Sequence, residues 1–268
     1  MSPLPRTYLF VPGNRPERFA KALASGADAV VLDLEDAVAA SGKDAARAAV
    51  AHALSGDASR VIVRINDAST PWYAADVAML AAARALAVML PKAEGAADIE
   101  RLRAVCTDIA VLALVESARG VLAAETLAAA PGVQRLVFGT IDFALDLDLS
   151  GDPVGLDHAA SRLALASRAA GIAPPVAGVT TSIDDEALLL ADLARARAHG
   201  FAAKLCIHPK QIAPIHAALA PSATELAWAE RVLAAAAAAG GGAVQLDGRM
   251  IDKPVIERAR RILARAPH

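Results

Sequence analysis

The sequence predicts an α/β protein, a (β/α)8 TIM barrel with a C-terminal helical lid extension. Three observations carry that prediction. Short β-type runs alternate with helical segments along most of the 268 residues, and eight such units in a chain of this length match a parallel barrel. Hydrophobic residues make up 56% of the chain and aromatic residues only 3%, so a large core must be filled by Ala, Leu and Val. Polar and ionisable residues collect at the C-terminal ends of the β runs, which is the rim where barrel active sites lie. An open doubly wound sheet shares the alternation, because periodicity does not show closure. The barrel is expected over residues 1–220 and the extension over 221–268.

The elements follow in order. The first run is 7–11, ending at Pro12-Gly13-Asn14, and a helix starts with Pro16 near its first position, where proline is tolerated. The second run, 29–34, ends at Glu35-Asp36, and a helix covers 43–54. The third, 60–66, contains Arg64 and is followed by a helix over 71–84. The fourth, 87–90, ends at Pro91-Lys92 before a helix over 96–105. The fifth and sixth, 111–117 and 135–142, are apolar runs that stop at Glu116 and Asp142, with a helix over 119–129 between them. A connection rich in Asp, Gly and Pro, 147–154, leads to a helix ending at Ala170. The seventh run is 175–177, and Asp184 caps a helix to His199. The eighth, 202–206, ends at Ile207-His208-Pro209. Beyond it lie an alanine-rich helix over 224–239, the joint Gly240-Gly241-Gly242 and a last helix over 254–264. A loose tail is one reading of this region. Against it, Met250, Ile251, Val255, Ile256 and Ile262 look placed to pack.

Bulk properties exclude several classes. The net charge is −2 with basic residues scattered, which argues against a nucleic-acid surface. Cys106 and Cys206 stand in no metal-binding spacing, as expected of a reduced cytoplasmic protein. The N-terminus carries no charged and apolar leader pattern, and no apolar run is long enough for a membrane span.

A carboxylate at the end of a buried strand needs a cation, a donor or a proton. Glu116 and Asp142 are therefore candidate ligands for one metal. Oxygen donors without His or Cys favour Mg²⁺, with Mn²⁺ possible. The alternative is that both cap the helices that follow. Arg64, inside an apolar strand, needs an anion, either a substrate carboxylate gripped by its fork or a buried pair with Glu35 or Asp36. Alternation sends Asp33 and Glu35 to one side, and one acid of the Asp33, Glu35, Asp36 cluster is expected to orient Arg64 or a metal-bound water. Lys92 reads as a salt-bridge residue rather than a Schiff-base lysine. His208 reads as a loop-fixing hydrogen-bond former. Arg15, Arg18 and Lys21 read as a phosphate grip for a nucleotide-bearing substrate, or as a solvated basic face.

Seven ordered motifs then carry a resemblance: 10–18 (FVPGNRPER), 32–38 (LDLEDAV), 63–66 (VRIN), 90–92 (LPK), 115–120 (VESARG), 138–143 (FGTIDF) and 206–209 (CIHP). The chain resembles the citrate lyase β-subunit-like (CitE-like) branch of the HpcH/HpaI aldolase superfamily, related to malyl-CoA and citramalyl-CoA lyases. The resemblance implies a Mg²⁺-dependent enzyme that makes or breaks a C–C bond in a 3-hydroxyacyl-CoA, releasing an oxo acid and an acyl-CoA. It implies Glu116 and Asp142 as metal ligands, and Arg64, Glu116, Gly139 and Thr140 as substrate-binding residues. Arg15, Arg18 and Lys21 would hold the CoA. Arg64, Asp36 and Asp252 would be catalytic, Asp252 in Met250-Ile251-Asp252 acting over a neighbouring subunit's site in a homo-oligomer, a trimer or hexamer. One departure stands out: Thr140-Ile141 replaces an Ala-Glu pair common before the aspartate. A CoA-independent 2-oxo-acid aldolase and a citrate lyase β-type subunit that needs partner and acyl-carrier subunits are the competing expectations.

Overall fold

The structure is a computed structural model, and it describes residues 4–238 and 244–266. Two compact units divide the chain, Met1–Ile215 and His216–His268.

The first unit is the barrel. Eight strands run in sequence order: β1 (Thr7–Pro12), β2 (Ala29–Asp33), β3 (Val61–Arg64), β4 (Ala87–Leu90), β5 (Ala110–Val115), β6 (Val133–Phe138), β7 (Val176–Ala177) and β8 (Ala203–Cys206). They form a closed barrel in which β1 pairs with β8 as well as with β2, both in parallel. Closure rules out the open doubly wound sheet. The helices between and after the strands are α1 (Phe19–Leu23), α2 (Lys43–Leu54), α3 (Tyr73–Ala82), α4 (Ala96–Arg103), α5 (Ala118–Leu122), α6 (Ala124–Ala129), α7 (Thr140–Asp146), α8 (Asp157–Ala169), α9 (Glu186–Ala198) and α10 (Ile212–Leu219). The unit boundary falls inside α10.

The barrel interior is filled by Tyr8, Val31, Ile62, Met89, Leu112, Leu114, Val137, Val176 and Leu205 with small alanines between them. Side chains alternate along a strand. The interior parity of Val31, Ile62, Leu114 and Val137 therefore continues upward to Asp33, Arg64, Glu116 and Gly139. The polar residues of the rim stand directly above the apolar interior rather than on the helix side of the sheet. At the other end, the same parity in β6 brings Arg135 inward below Val137.

Local differences from the sequence reading have identifiable causes. The helix expected over 119–129 is two short helices, α5 and α6, meeting at Ala123. The run expected to end at Asp142 stops at Phe138, and Asp142 lies in the first turn of α7. Gly139 is the helix N-cap residue, so the chain turns there. The cap of α9 is Asp185, which accepts from the Leu188 N–H, while Asp184 pairs with Lys210.

The second unit holds α11 (Ala223–Ala238), a hairpin of β9 (Val244–Leu246) and β10 (Arg249–Ile251), and α12 (Lys253–Leu263). Asp247 and Gly248 both have positive φ, 52° and 76°, the pattern of a two-residue hairpin turn that Asp-Gly favours. Val232, Ile251 and Ile262 are buried in a small core with Val255 and Ile256 packed against it, which answers the loose-tail reading. Met250 alternates to the opposite face of β10 and is 70% exposed. The glycine joint, 240–242, lies outside the described residues. No helix among the described residues is long and apolar enough to cross a membrane.

Candidate active site

Arg64 ends β3 with its guanidinium 11% exposed. Asp33, at the matching register of β2, accepts from Nε and Nη2 at 2.7 Å each. The Phe10 ring lies 4.9 Å from the guanidinium carbon and supports it from a third side. Burial opposes the charge, but the Asp33 hydrogen bonds and the charges of Asp33, Glu35 and Asp36 outweigh it and hold the Arg64 pKa above its usual value. The sequence offered Glu35 or Asp36 as a buried partner of Arg64, and Asp33 among the acids that could orient it; all three stand within ion-pair distance. The principal partner of Arg64 is Asp33, because strand parity faces these two residues toward each other. Asp33 occupies one edge of the fork, and the Nη1 end remains, 2.9 Å from Glu35 Oε2 and 3.5 Å from Asp36 Oδ2.

Glu116 follows β5 and is 4% exposed. Its Oε1 accepts from the backbone N–H of Lys92 at 2.8 Å. Lys92 adopts φ 47° to present that N–H, a left-handed backbone that costs a lysine on the order of 1 kcal/mol. Gly139 meets the other side of Glu116. A Cβ built there would stand 2.7 Å from Glu116 Oε2, so only glycine lets β6 pass this close to the carboxylate. Burial, then the charges of Glu35 and Asp142, push the Glu116 pKa up to about 8, against the Lys92 hydrogen bond and Arg64. Asp142 is half-buried on α7, and its carboxylate makes no hydrogen bond or ion pair among the described residues. Asp146, one turn on, accepts from the Ala118 N–H and ties α7 back to the loop after Glu116.

Neither acid is a helix cap, although Asp142 lies in the first turn of α7, where a negative charge favours the helix N-terminus. Ser117 caps α5, and no side chain caps α7. What remains is a pair of oxygen donors at the rim, of which Glu116 is buried and held above the usual carboxylate range, first by burial and then by the charge of Glu35. That donor set fits a hard divalent ion such as Mg²⁺, which takes one or two carboxylates and leaves room for water and substrate.

The other predicted residues sort as follows. Asp36 is exposed at the edge of the site, its Oδ2 3.5 Å from Arg64 Nη1. Thr140 starts α7 and packs on Gly178. Arg15 and Arg18, on the segment leaving the rim after β1, both pair with Glu17, and Lys21 is exposed on α1. Asp252 belongs to the second unit, where it caps α12 by accepting from the Val255 N–H. Lys92 reaches toward Glu35 at 3.9 Å as a half-exposed ammonium. His208 accepts from the Lys210 N–H in a capping box with Gln211, the loop-fixing role expected of it.

Two supports escaped the sequence reading. Asp76 on α3 is fully buried and accepts from the Asn66 backbone and side-chain nitrogens and from Arg47 Nε, fixing the chain just after Arg64. Its place one turn before Leu80 was the available signal. Lys43 Nζ donates to the carbonyls of Leu34 and Glu35 and pins the loop that carries the acidic cluster.

The HpcH/HpaI aldolase/citrate lyase family matches residues 6–209, and the C–C bond lyases of the TIM-barrel fold match residues 160–268. A citrate lyase subunit β-like protein of Mycobacterium tuberculosis is 41% identical over 97% of this chain and 94% of its own length. A (3S)-malyl-CoA thioesterase of Cereibacter sphaeroides is 36% identical over 97% of this chain and 94% of its own length. The crystal structure of CitE from Mycobacterium tuberculosis in complex with magnesium, acetoacetate and coenzyme A matches at a TM-score of 0.87 and 40% identity, covering 97% of each chain. With the closed barrel and its acidic rim, these matches make the chain a member of the HpcH/HpaI aldolase/citrate lyase family, an enzyme of the citrate lyase β-like branch of carbon–carbon lyases.

Proposed function

We propose that this protein is a Mg²⁺-dependent lyase that cleaves, or in reverse forms, a 3-hydroxyacyl-CoA of the malyl-, citramalyl- or citryl-CoA kind. What supports the reading is a rim on which buried Glu116 feels the charges of Glu35, Asp142 and Arg64. In cleavage the 3-hydroxyl loses its proton, the adjacent C–C bond breaks, and the electron pair moves into an acyl-CoA enolate while the other half leaves as an oxo acid. Mg²⁺ held by Glu116 and Asp142 supplies Lewis-acid stabilisation of the charge on the oxo-acid half. The Nη1 end of Arg64 binds and orients the carboxylate of that half, with Asp33 holding the guanidinium in place. Asp36 accepts the hydroxyl proton. Gly139 and Thr140 shape the floor beside the reacting carbons. Asp252, brought over the site by a neighbouring subunit of a homo-oligomer, protonates the enolate carbon. Arg15, Arg18 and Lys21 hold the CoA phosphates. The expected setting is the cytoplasm.

The test is incubation with malyl-CoA, citramalyl-CoA and citryl-CoA, with and without EDTA. Metal-dependent release of an oxo acid from one of them supports the lyase, and a folded protein inert on all three refutes it. A second reading rests on the relatives named as malyl-CoA thioesterases. Hydrolysis would give malate and free CoA in place of glyoxylate and acetyl-CoA, so product identity separates the two.

A further inference from the structure

We infer that Glu35 completes the ion site as an outer carboxylate, accepting hydrogen bonds from water held on the metal. This rests on the proposed ion site at Glu116 and Asp142. Glu35 is 6% exposed, and both of its oxygens are buried without a hydrogen bond. The Arg64 Nη1 atom stands 2.9 Å from Oε2, close enough for an ion pair yet off the line of a hydrogen bond. Lys92 Nζ is 3.9 Å from Oε1. A buried carboxylate has about four lone-pair sites, and leaving them empty costs about 1–3 kcal/mol or more.

The backbone around Glu35 is held unusually firmly for a loop. Its N–H donates to Asp33 Oδ1 at 2.9 Å, and its carbonyl accepts from Lys43 Nζ at 2.7 Å. Such anchoring keeps the acid in place although its oxygens make no hydrogen bond among the described residues. Lys92 stands between the two acids, its backbone N–H donating to Glu116 Oε1 at 2.8 Å and its Nζ 3.9 Å from Glu35 Oε1, and the charge of Glu35 is felt at Glu116. A dication with its waters, bound between these acids, supplies both a compensating charge and the missing donors. Outer groups of this kind typically change metal affinity by roughly 10- to 100-fold.

Mg²⁺ binding is measured by calorimetry at pH 8.5 on the wild type, on Glu35→Gln and on Glu35→Asp. The first variant is isosteric but uncharged. The second keeps the charge and withdraws the oxygens by one methylene. The expected result is that both weaken Mg²⁺ binding roughly 10-fold or more, while thermal unfolding in EDTA shows both folded. Wild-type affinity in either variant overturns the inference; in Glu35→Asp it would show that charge alone matters. Bound Mn²⁺ gives a second readout: a broader electron spin resonance spectrum in both variants supports ordered outer contacts, and unchanged spectra contradict them. If the wild type itself binds no Mg²⁺, the ion site fails first, and the failure is distinguishable from that of Glu35.

Discussion

Two arginines occupy opposite ends of one barrel interior, and their surroundings differ. Arg135, at the floor on β6, donates to the carbonyls of Pro174 and Pro5 and to the Tyr8 hydroxyl. Its partners are neutral and come from two distant parts of the chain, the N-terminal segment with Pro5 and Tyr8 and the segment with Pro174, so it ties the bottom of the barrel together. Arg64, at the rim, stands among Asp33, Glu35 and Asp36. Among the described residues only Asp33 hydrogen-bonds to it, and its Nη1 end faces Glu35, whose oxygens have no hydrogen bond. An arginine whose ties are all to its own fold is structural. One hydrogen-bonded on a single edge, beside a buried carboxylate without a hydrogen bond, is prepared for something the chain does not contain.

The contrast can be broken most sharply at Arg64. Arg64→Lys keeps a cation near Asp33 but loses the planar fork. We expect kcat/KM to fall by roughly 10²–10³ with the thermal midpoint little changed, read by product assay and by circular dichroism. The mirror experiment is Arg135→Met. It should cost about 1–3 kcal/mol in chemical denaturation and leave kcat/KM of the folded enzyme within about threefold, since a neutral floor contact carries no transition-state charge. A catalytic loss at Arg135 equal to that at Arg64 would erase the distinction.

The rim should also reveal itself through pH. Burial first, then neighbouring charges, raise the Glu116 pKa to about 8 and, net of Arg64, the Glu35 pKa to about 7, both from 4.5. The folded protein therefore keeps protons that the unfolded chain loses above about pH 4.5. That stabilisation is full below this pH and is lost as pH rises through 7 and 8. In EDTA the unfolding midpoint should fall between pH 5 and pH 8.5, and Mg²⁺ should restore it most at the alkaline end. A midpoint flat across this range would mean the acids are not buried as a group. The smallest effect is expected at Lys92. Lys92→Gly relieves the left-handed backbone and should add about 0.5–1 kcal/mol in a denaturant titration, with the Glu116 contact kept through the backbone.

Much of this rim was legible in the sequence. Glu116, Asp142 and Arg64 each stand at or near the end of an apolar run, and burial there makes a charge informative. Strand alternation also put Asp33 and Glu35 on one side. It could not say that Asp33, rather than Glu35 or Asp36, would take the fork of Arg64, because that depends on the register between β2 and β3. The strand end expected at Asp142 is in fact helix. Gly139 turns the chain, and a glycine forced by the closeness of Glu116 is a tertiary fact invisible in the local pattern. The β9–β10 hairpin had its Asp-Gly signal in plain view, but its strands are too short for alternation to register. Asp252 was found through the family resemblance, and in this chain its local role is that of a helix cap.

The lyase reading stands or falls with Glu116 and Asp142 as holders of its ion. The most direct measurement is product analysis on malyl-CoA with Mg²⁺, for the wild type, the wild type in EDTA and Glu116→Gln. The wild type should give equal amounts of glyoxylate and acetyl-CoA, and almost none when the ion or the Glu116 carboxylate is removed. Undiminished glyoxylate release in EDTA or from Glu116→Gln, or malate and free CoA as the only products, would contradict it.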